Sequence, residues 1–336
     1  LSYEQIVSVE NLLLAWEEFV SGKKAKRDVQ EFSLHLMDNI LALHDELASK
    51  TYKHGGYHHF RISDPKPRDI HKASVRDRLV HHAIYRILYP FFDKKFIADS
   101  YSCRLEKGTH RALNRFRDFA FIVSKNHTRT CWVLKCDIRK FFANIDHQIL
   151  MNILKHKIID EDILSLLGEV IESFHTVTAG LLVRRGGMQE SPINPWIATA
   201  NTPRNGKHIG LPLGNLTSQL LVNIYMNEFD QFVKHSLKEK YYIRYADDFV
   251  FLWENRGHLE KLVAKISEFL CQQLGLALHP DKLFLKTFQS GVDFLGWVHF
   301  PDHQVLRTAS KKRMMRTIRQ KPTKPVLISY QGLLSH

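Results

Sequence analysis

The stretch YYIRYADDFVFLW, residues 241–253, sets Asp247 and Asp248 side by side in a run of aromatic and β-branched residues that otherwise asks for burial in a sheet. A second β-prone run, WVLKCD at 132–137, ends on another acid, Asp137. Carboxylates are costly in such a place, because burial penalises the charged form and neighbouring like charges repel. Residues 242–245 and 249–253 read as the arms of a hairpin, with Ala246, Asp247 and Asp248 at its tip. Aspartate is also a common turn former, so the pair alone leaves its purpose open. If the strand ending at Asp137 lies beside that hairpin, three carboxylates converge. Such hard oxygen donors suit Mg²⁺ that keeps part of its water and is completed by substrate phosphates. Two ions held this way favour in-line displacement at phosphorus, one activating the attacking hydroxyl and the other steadying the leaving phosphate.

Other elements must position those acids. Residues 7–19 and 29–48 space apolar side chains three and four apart, predicting two amphipathic helices joined by the basic turn 22–27. Residues 53–67 carry Gly55 and Gly56, then Tyr57, Phe60 and Ile62, then two prolines, which predicts a strand or hairpin leading into a loop. Ser74 is placed to cap a helix with the stripe Val75, Leu79, Ala83 and Ile87, ending near Pro90. His81 and His82 in that helix read as packed or surface histidines rather than metal ligands. Helical spacing returns at 149–174, 216–237 and 259–274, loops and short strands are expected at 176–208, and 283–288 and 292–300 are β-prone. Helices and strands that alternate without regular βαβ units predict an α+β fold with an antiparallel sheet.

Composition narrows the class of partner. The chain has 336 residues, 44% of them hydrophobic, and 48 Lys and Arg against 35 Asp and Glu give a net charge of +13, which favours a polyanion such as nucleic acid. Basic residues gather at 23–27, 61–78, 104–117 and 311–324, with aromatic residues interspersed in the second and third clusters. No apolar run is long enough to cross a bilayer, and residues 11–20 are interrupted by Glu17 and Glu18, so a cytoplasmic protein is expected. Cys103, Cys131, Cys136 and Cys271 form no CxxC pair and read as reduced core thiols.

The order LKCDIRKFFANIDH, GLPLGNLTSQLLVNIYMNEFD, YIRYADDFVFL, GLALHPDK and VDFLGW, with DPKPRDI and SVRDRLVHHAIYRILYP upstream, resembles the ordered motifs of reverse transcriptases between residues 50 and 300. The resemblance implies a right-hand polymerase that copies RNA into DNA. It implies an N-terminal helical extension at 1–50, fingers at 51–90 and 151–210, a palm at 91–150 and 211–300, and a partial helical thumb at 301–336. By the same resemblance Asp137 and Asp247 are the principal ligands of two Mg²⁺ ions, with the Ile138 carbonyl and Asp248 beside them. Phe142 falls where bulk excludes a ribose 2′-hydroxyl, and Arg61, Lys66 and Arg68 fall where fingers cations hold the incoming triphosphate. Lys282 falls at a lysine able to protonate the leaving pyrophosphate, and Phe294, Leu295, Gly296 and Trp297 match the hairpin that supports the primer end.

Residues 212–219, PLGNLTSQ, depart from the pattern of many bacterial reverse transcriptases: Leu213 replaces a glutamine and Gln219 replaces the proline after serine. That departure, and DSYSCRLEKGTHRAL at 99–113, resembles the reverse transcriptases of diversity-generating retroelements. This finer resemblance implies cDNA made with frequent errors at template adenines, with Leu213 and Gly214 at the incoming nucleotide and Leu213 and Gln219 bearing on fidelity. It also implies a template and spacer RNA, deoxynucleoside triphosphates and a ring-forming accessory protein as partners. A stand-alone bacterial reverse transcriptase of another lineage, serving phage defence or an intron, is the alternative. A catalytically dead RNA-binding scaffold would carry broken acids, whereas Asp137, Asp247 and Asp248 are all present. Residues 301–336 are expected to supply one basic helix near 310–321, and no RNase H, integrase or endonuclease unit is expected within them.

Overall fold

The computed structural model describes residues 1–63, 67–174, 208–320 and 322–334. Four helices come first: α1 (Tyr3–Val7), α2 (Val9–Val20), α3 (Arg27–Leu34) and α4 (Leu36–Ala48). Each of the two helices predicted from spacing is thus broken once. The Ser8 hydroxyl accepts the Asn11 N–H and starts a new helix, while His35, at φ −121° and ψ 41°, interrupts the second. The strands β1 (Tyr57–Ile62) and β2 (Arg68–Ala73) pair antiparallel and lead into α5 (Val75–Asp93). Ser74 caps α5 as expected, by accepting the Asp77 N–H, and the helix continues through Pro90. Ile6, Leu12 and Phe19 share one core with Leu79, Val80 and Ala83, so the N-terminal helices and α5 are packed as a unit.

Next come α6 (Thr109–Val123), β3 (Trp132–Asp137), α7 (His147–Lys155), α8 (Glu161–Glu172) and α9 (Leu216–Gln231). The strands β4 (Tyr242–Tyr245) and β5 (Asp248–Trp253) precede α10 (Arg256–Leu274) and β6 (Phe284–Thr287). The three short strands β7 (Val292–Phe294), β8 (Trp297–His299) and β9 (Gln304–Leu306) form an antiparallel sheet that straddles residue 300, the expected end of the palm. Two helices rather than one follow, α11 (Thr308–Gln320) and α12 (Lys324–Leu334). Apart from His208, the stretch expected at 176–208 lies outside the described residues, as does Lys66. Among the described residues no helix is long and apolar enough to cross a membrane. Cys131 and Cys136 are buried free thiols, but Cys103 is exposed and is no core thiol.

The central sheet has the order β4-β5-β3-β6, antiparallel throughout. Because side chains alternate across a strand, one face carries Leu134 and Cys136 of β3 with Phe249 and Phe251 of β5, packed into the core that includes Phe229 of α9 and Leu262 of α10. The other face carries Val133, Val250 and Leu252, which join Phe116 and Phe119 of α6 and Phe294 of β7 in a second core. Lys135, Asp137 and Asp248 lie on this second face by the same alternation, at the end of the sheet beyond Val133 and Val250. The tip of the β4–β5 hairpin is shorter than predicted. Asp248 is the first residue of β5, paired with Tyr245 and with Asp137, so the turn consists of Ala246 and Asp247 alone.

Beneath that turn Arg244 is 0% exposed, and its partner Asp230 of α9 is also 0% exposed. Arg244 Nε lies 2.8 and 3.0 Å from the two Asp230 oxygens, and Nη2 lies 2.7 Å from Oδ2. Tyr242 donates its hydroxyl to Asp230 Oδ1 at 2.8 Å, Arg244 Nη2 reaches Ser100 Oγ, and Nη1 donates to Asn223 Oδ1 and to the Ala246 carbonyl at 3.1 Å. Removing one member of a buried ion pair strands the other charge. Arg244→Ala is therefore expected to lower stability by about 3–5 kcal/mol, read from urea unfolding followed by circular dichroism.

Candidate active site

The strand pairing that places Asp137 opposite Asp248 is the geometric basis of the site. Asp137 is 7% exposed, and Lys282 Nζ bridges both its oxygens at 2.8 and 2.9 Å. Local structure explains how a residue so distant in sequence arrives there. The His279 N–H donates to the Asp137 carbonyl and the Arg139 N–H to the Ala277 carbonyl, so residues 277–279 run antiparallel beside 137–139. His279 then accepts the Asp281 N–H and starts the 3₁₀ turn Pro280–Lys282, which swings Lys282 back over Asp137. These two bonds flank the Ile138–Leu278 bridge, leaving the Ile138 carbonyl outside it.

Asp248 has its own cation. Lys135, 8% exposed in the middle of β3, stands with Nζ 3.4 Å from Asp248 Oδ1. This is an ion pair, and among the described residues the buried Oδ1 has no hydrogen-bond partner. Burial raises the Asp248 pKa, with Lys135 opposing the rise. Among the described residues Asp247 has no ammonium in ion-pair contact, and burial, then repulsion from Asp137 and Asp248, pushes its pKa up to about 6, with Lys282 opposing the rise. Among the described residues no group of three or more His, Cys, Asp or Glu side chains forms a ready metal cage. An unmatched carboxylate oxygen and a facing pair of acids nevertheless fit an oxygen-seeking cation that takes part of its shell from substrate.

Around the acids, Phe142 is half-buried in the 3₁₀ turn Phe142–Asn144, and its carbonyl accepts the Leu211 N–H at 2.8 Å. Phe141 is 3% exposed and meets Phe142 edge-on with ring centroids 5.6 Å apart, so Phe141 is the core residue of the two. Leu213 is half-buried, Gly214 is exposed with φ 107°, and Gln219 lies half-buried in the first turns of α9. Pairing in the β1–β2 hairpin separates the two described cations of the expected triphosphate set. Arg61 is opposite Asp69, whereas Arg68 shares the face of Ile70, whose Cγ2 is 3.1 Å from where a Gly214 Cβ would be. Arg68 is thus on the side of the Leu213 loop, and Arg61 on the other.

Phe294 and Trp297 are buried against α6, and between them Leu295 and Gly296 form a two-residue turn with φ 50° and 92°. Positive φ at both turn residues is the sign pattern that matches hairpin twist, and it is strained for leucine. Gly296 receives the Arg307 N–H on its carbonyl at 2.9 Å. Sequence reasoning missed Lys135 and Arg244. The available signal was a single cation inside each buried run, WVLKCD and YYIRYADD.

An antiparallel sheet with acids at its open end, flanked by helices, has the right-hand polymerase architecture. The chain belongs to the reverse transcriptase (RNA-dependent DNA polymerase) family, whose model matches residues 62–299. It is similar to protein YkfC of Escherichia coli, 26% identical over 87% of this chain and 78% of that protein. It is also similar to the group II intron-encoded protein LtrA of Lactococcus lactis, 26% identical over 50% of this chain but only 23% of LtrA. In fold it resembles telomerase from Candida tropicalis solved with a fragment of telomeric RNA, with TM-score 0.52, 12% identity, and coverage of 83% of this chain and 51% of that one.

The raised Asp247 pKa has a definite pH signature. The folded chain holds this proton more tightly than the unfolded one, so the associated stability is complete below the ordinary 3.8 and is lost as pH rises through about 6. Asp247→Asn is expected to be more stable than the parent at neutral pH, the gap closing as pH falls toward 3.8. Added Mg²⁺ should raise the melting temperature of the parent more than that of Asp247→Asn. Thermal melts across pH, with and without Mg²⁺, measure both.

Proposed function

We propose that the chain polymerises DNA on an RNA template by two-metal nucleotidyl transfer, and that it serves a diversity-generating retroelement. The pairing of Asp137 with Asp248 next to Asp247 supports the chemistry. Asp137, Asp247 and the Ile138 carbonyl would hold Mg²⁺, with Asp248 beside them. When bound, these ions lower the pKa of the attacking 3′-hydroxyl and stabilise charge on the transferring phosphoryl group. Lys282 is positioned over Asp137 to move toward the phosphates and give its proton to the leaving pyrophosphate. Phe142 limits space at the sugar, Arg68 approaches the triphosphate from the fingers hairpin β1–β2, and the Leu295–Gly296 turn supports the primer end. Arg61 and Lys66 remain members of the proposed triphosphate set.

Leu213 and Gln219 carry the finer assignment. A glutamine amide beside the nascent pair bonds directionally and penalises distorted geometry; leucine supplies contact without direction. Losing that interaction lowers discrimination by about tenfold to a hundredfold. The partners under this reading are template and spacer RNA, the cDNA, deoxynucleoside triphosphates and a ring-forming accessory protein. The intron-encoded name among the relatives favours a second reading, a polymerase of an intron lineage.

Primer extension on RNA with Mg²⁺ and four deoxynucleotides, followed by product sequencing, separates these readings. Extension that disappears in Asp247→Asn, with substitutions concentrated opposite adenine and reduced by Leu213→Gln, is the expected result. Accurate copying of adenines would leave the intron lineage, and full activity of Asp247→Asn would overturn the metal assignment. Phe142→Ala is expected to admit ribonucleotides, seen as alkali-sensitive product.

A further inference from the structure

The start of α9 is fastened at two places, one to the fingers hairpin β1–β2 and one to α5, which follows that hairpin. His71 of β2 uses both backbone groups: its N–H donates to the Leu213 carbonyl at 3.1 Å, and its carbonyl accepts Asn215 Nδ2 at 3.0 Å. At the second place, His81 Nδ1 lies 2.7 Å from Thr217 Oγ1, and His81 Nε2 lies 3.0 Å from Nε2 of His54, just before β1. Between Leu213 and Asn215, Gly214 comes so close to β2 that an added Cβ would sit 3.1 Å from Ile70 Cγ2.

Asn215 occupies the N-cap position of α9, where an asparagine normally turns its side-chain oxygen to the helix's own free N–H groups. Here it makes no such bond. It is 2% exposed, it donates to His71, and its buried Oδ1 has no hydrogen-bond partner among the described residues. A buried acceptor left unmatched and a cap forgone both disfavour the folded state. What the side chain secures in exchange is the contact with β2.

We propose that Asn215 is a positioning residue for nucleotide selection, clasping the strand that carries Arg68 to the loop that carries Leu213 so that both meet the incoming nucleotide as one surface. This rests on the polymerase reading of the same site. Asn215 acts through Leu213, whose carbonyl is tied to the same His71 backbone. Without the clasp, the His71–Leu213 bond is left to hold β2 to the loop with less support, the correct nucleotide is held less firmly, and mismatched pairs are rejected less well.

Asn215→Ser and Asn215→Asp both supply good helix caps while removing the donor to His71, so a merely structural role and a positioning role predict opposite results. Under the clasp, both variants melt at or above the parent temperature. Their KM for the correct deoxynucleotide on an RNA template rises about tenfold while kcat stays within about threefold, and the ratio of correct to incorrect incorporation shifts by a similar factor. Hydrogen exchange of the His71 amide also quickens, with β3 amides unchanged. Unchanged KM and selectivity in a folded variant, or unchanged His71 exchange, overturns the proposal. Should Asn215→Asp fail to fold, Asn215→Ser decides by the same readings. A parent chain that incorporates no nucleotide speaks against the polymerase reading, whereas the clasp itself is judged from exchange, which needs no turnover.

Discussion

A guanidinium with no access to water must satisfy its charge and its N–H groups inside the protein, and Arg244 does so by drawing three separate segments together. Asp230 and Asn223 come from α9, Ser100 from the segment before α6, and the Ala246 carbonyl from the turn that carries Asp247. The 99–101 segment also bonds along β4, through Arg244 N–H to Asp99 O and Tyr101 N–H to Arg244 O. The turn is held from below by a bond that no change of side chain at Ala246 would remove. Ala246 itself sits at φ 56°, a conformation alanine adopts only when its surroundings impose it. The buried pair supplies that constraint.

The same helix links two regions. Its first turn meets His71 and His81, and Asn223 and Asp230 farther along meet Arg244. At about 1.5 Å per residue, a 16-residue helix is about 24 Å long, so α9 is the rod that sets the distance between the β1–β2 hairpin and the acid-bearing turn. Above it the acids face a different balance. Three carboxylates at the end of one sheet repel, and the chain answers with ammonium groups of its own, Lys282 on Asp137 and Lys135 beside Asp248. The Asp247 pKa is still raised further than that of Asp248, by burial first and then by repulsion from Asp137 and Asp248, with Lys282 opposing. An arrangement of this kind is poised for cations without being a closed cage.

Much of this was legible in the chain. Helices and strands without regular βαβ units predicted an antiparallel sheet, and the β-prone runs ending at Asp137 and flanking Asp247 are in it. The Ser74 cap stands where expected, while the hairpin before it reaches past the predicted 53–67 to place its second strand at 68–73. The errors have physical reasons. Asp248 was read into the turn because aspartate suits turns, but its pairing with Tyr245 and Asp137 draws it into β5. The breaks at Ser8 and His35 were invisible to a count of apolar spacing, which continues across both, whereas a cap and a departure from helical φ and ψ are local events. His81 was read as a packed or surface histidine and is packed, yet its bonds to Thr217 and His54 could not be seen in the helical stripe.

By itself, the sequence determined which residues are acids, which β-prone runs carry them and in what order the motifs come, because periodicity and residue type are local properties. Only the tertiary structure decided which cation answers which acid. Lys282 and Asp137 are 145 positions apart, and Arg244 and Ser100 are 144 apart. Such pairings follow from where whole strands and helices come to rest, and the free energy of a charge depends on the burial and the partners it finds there.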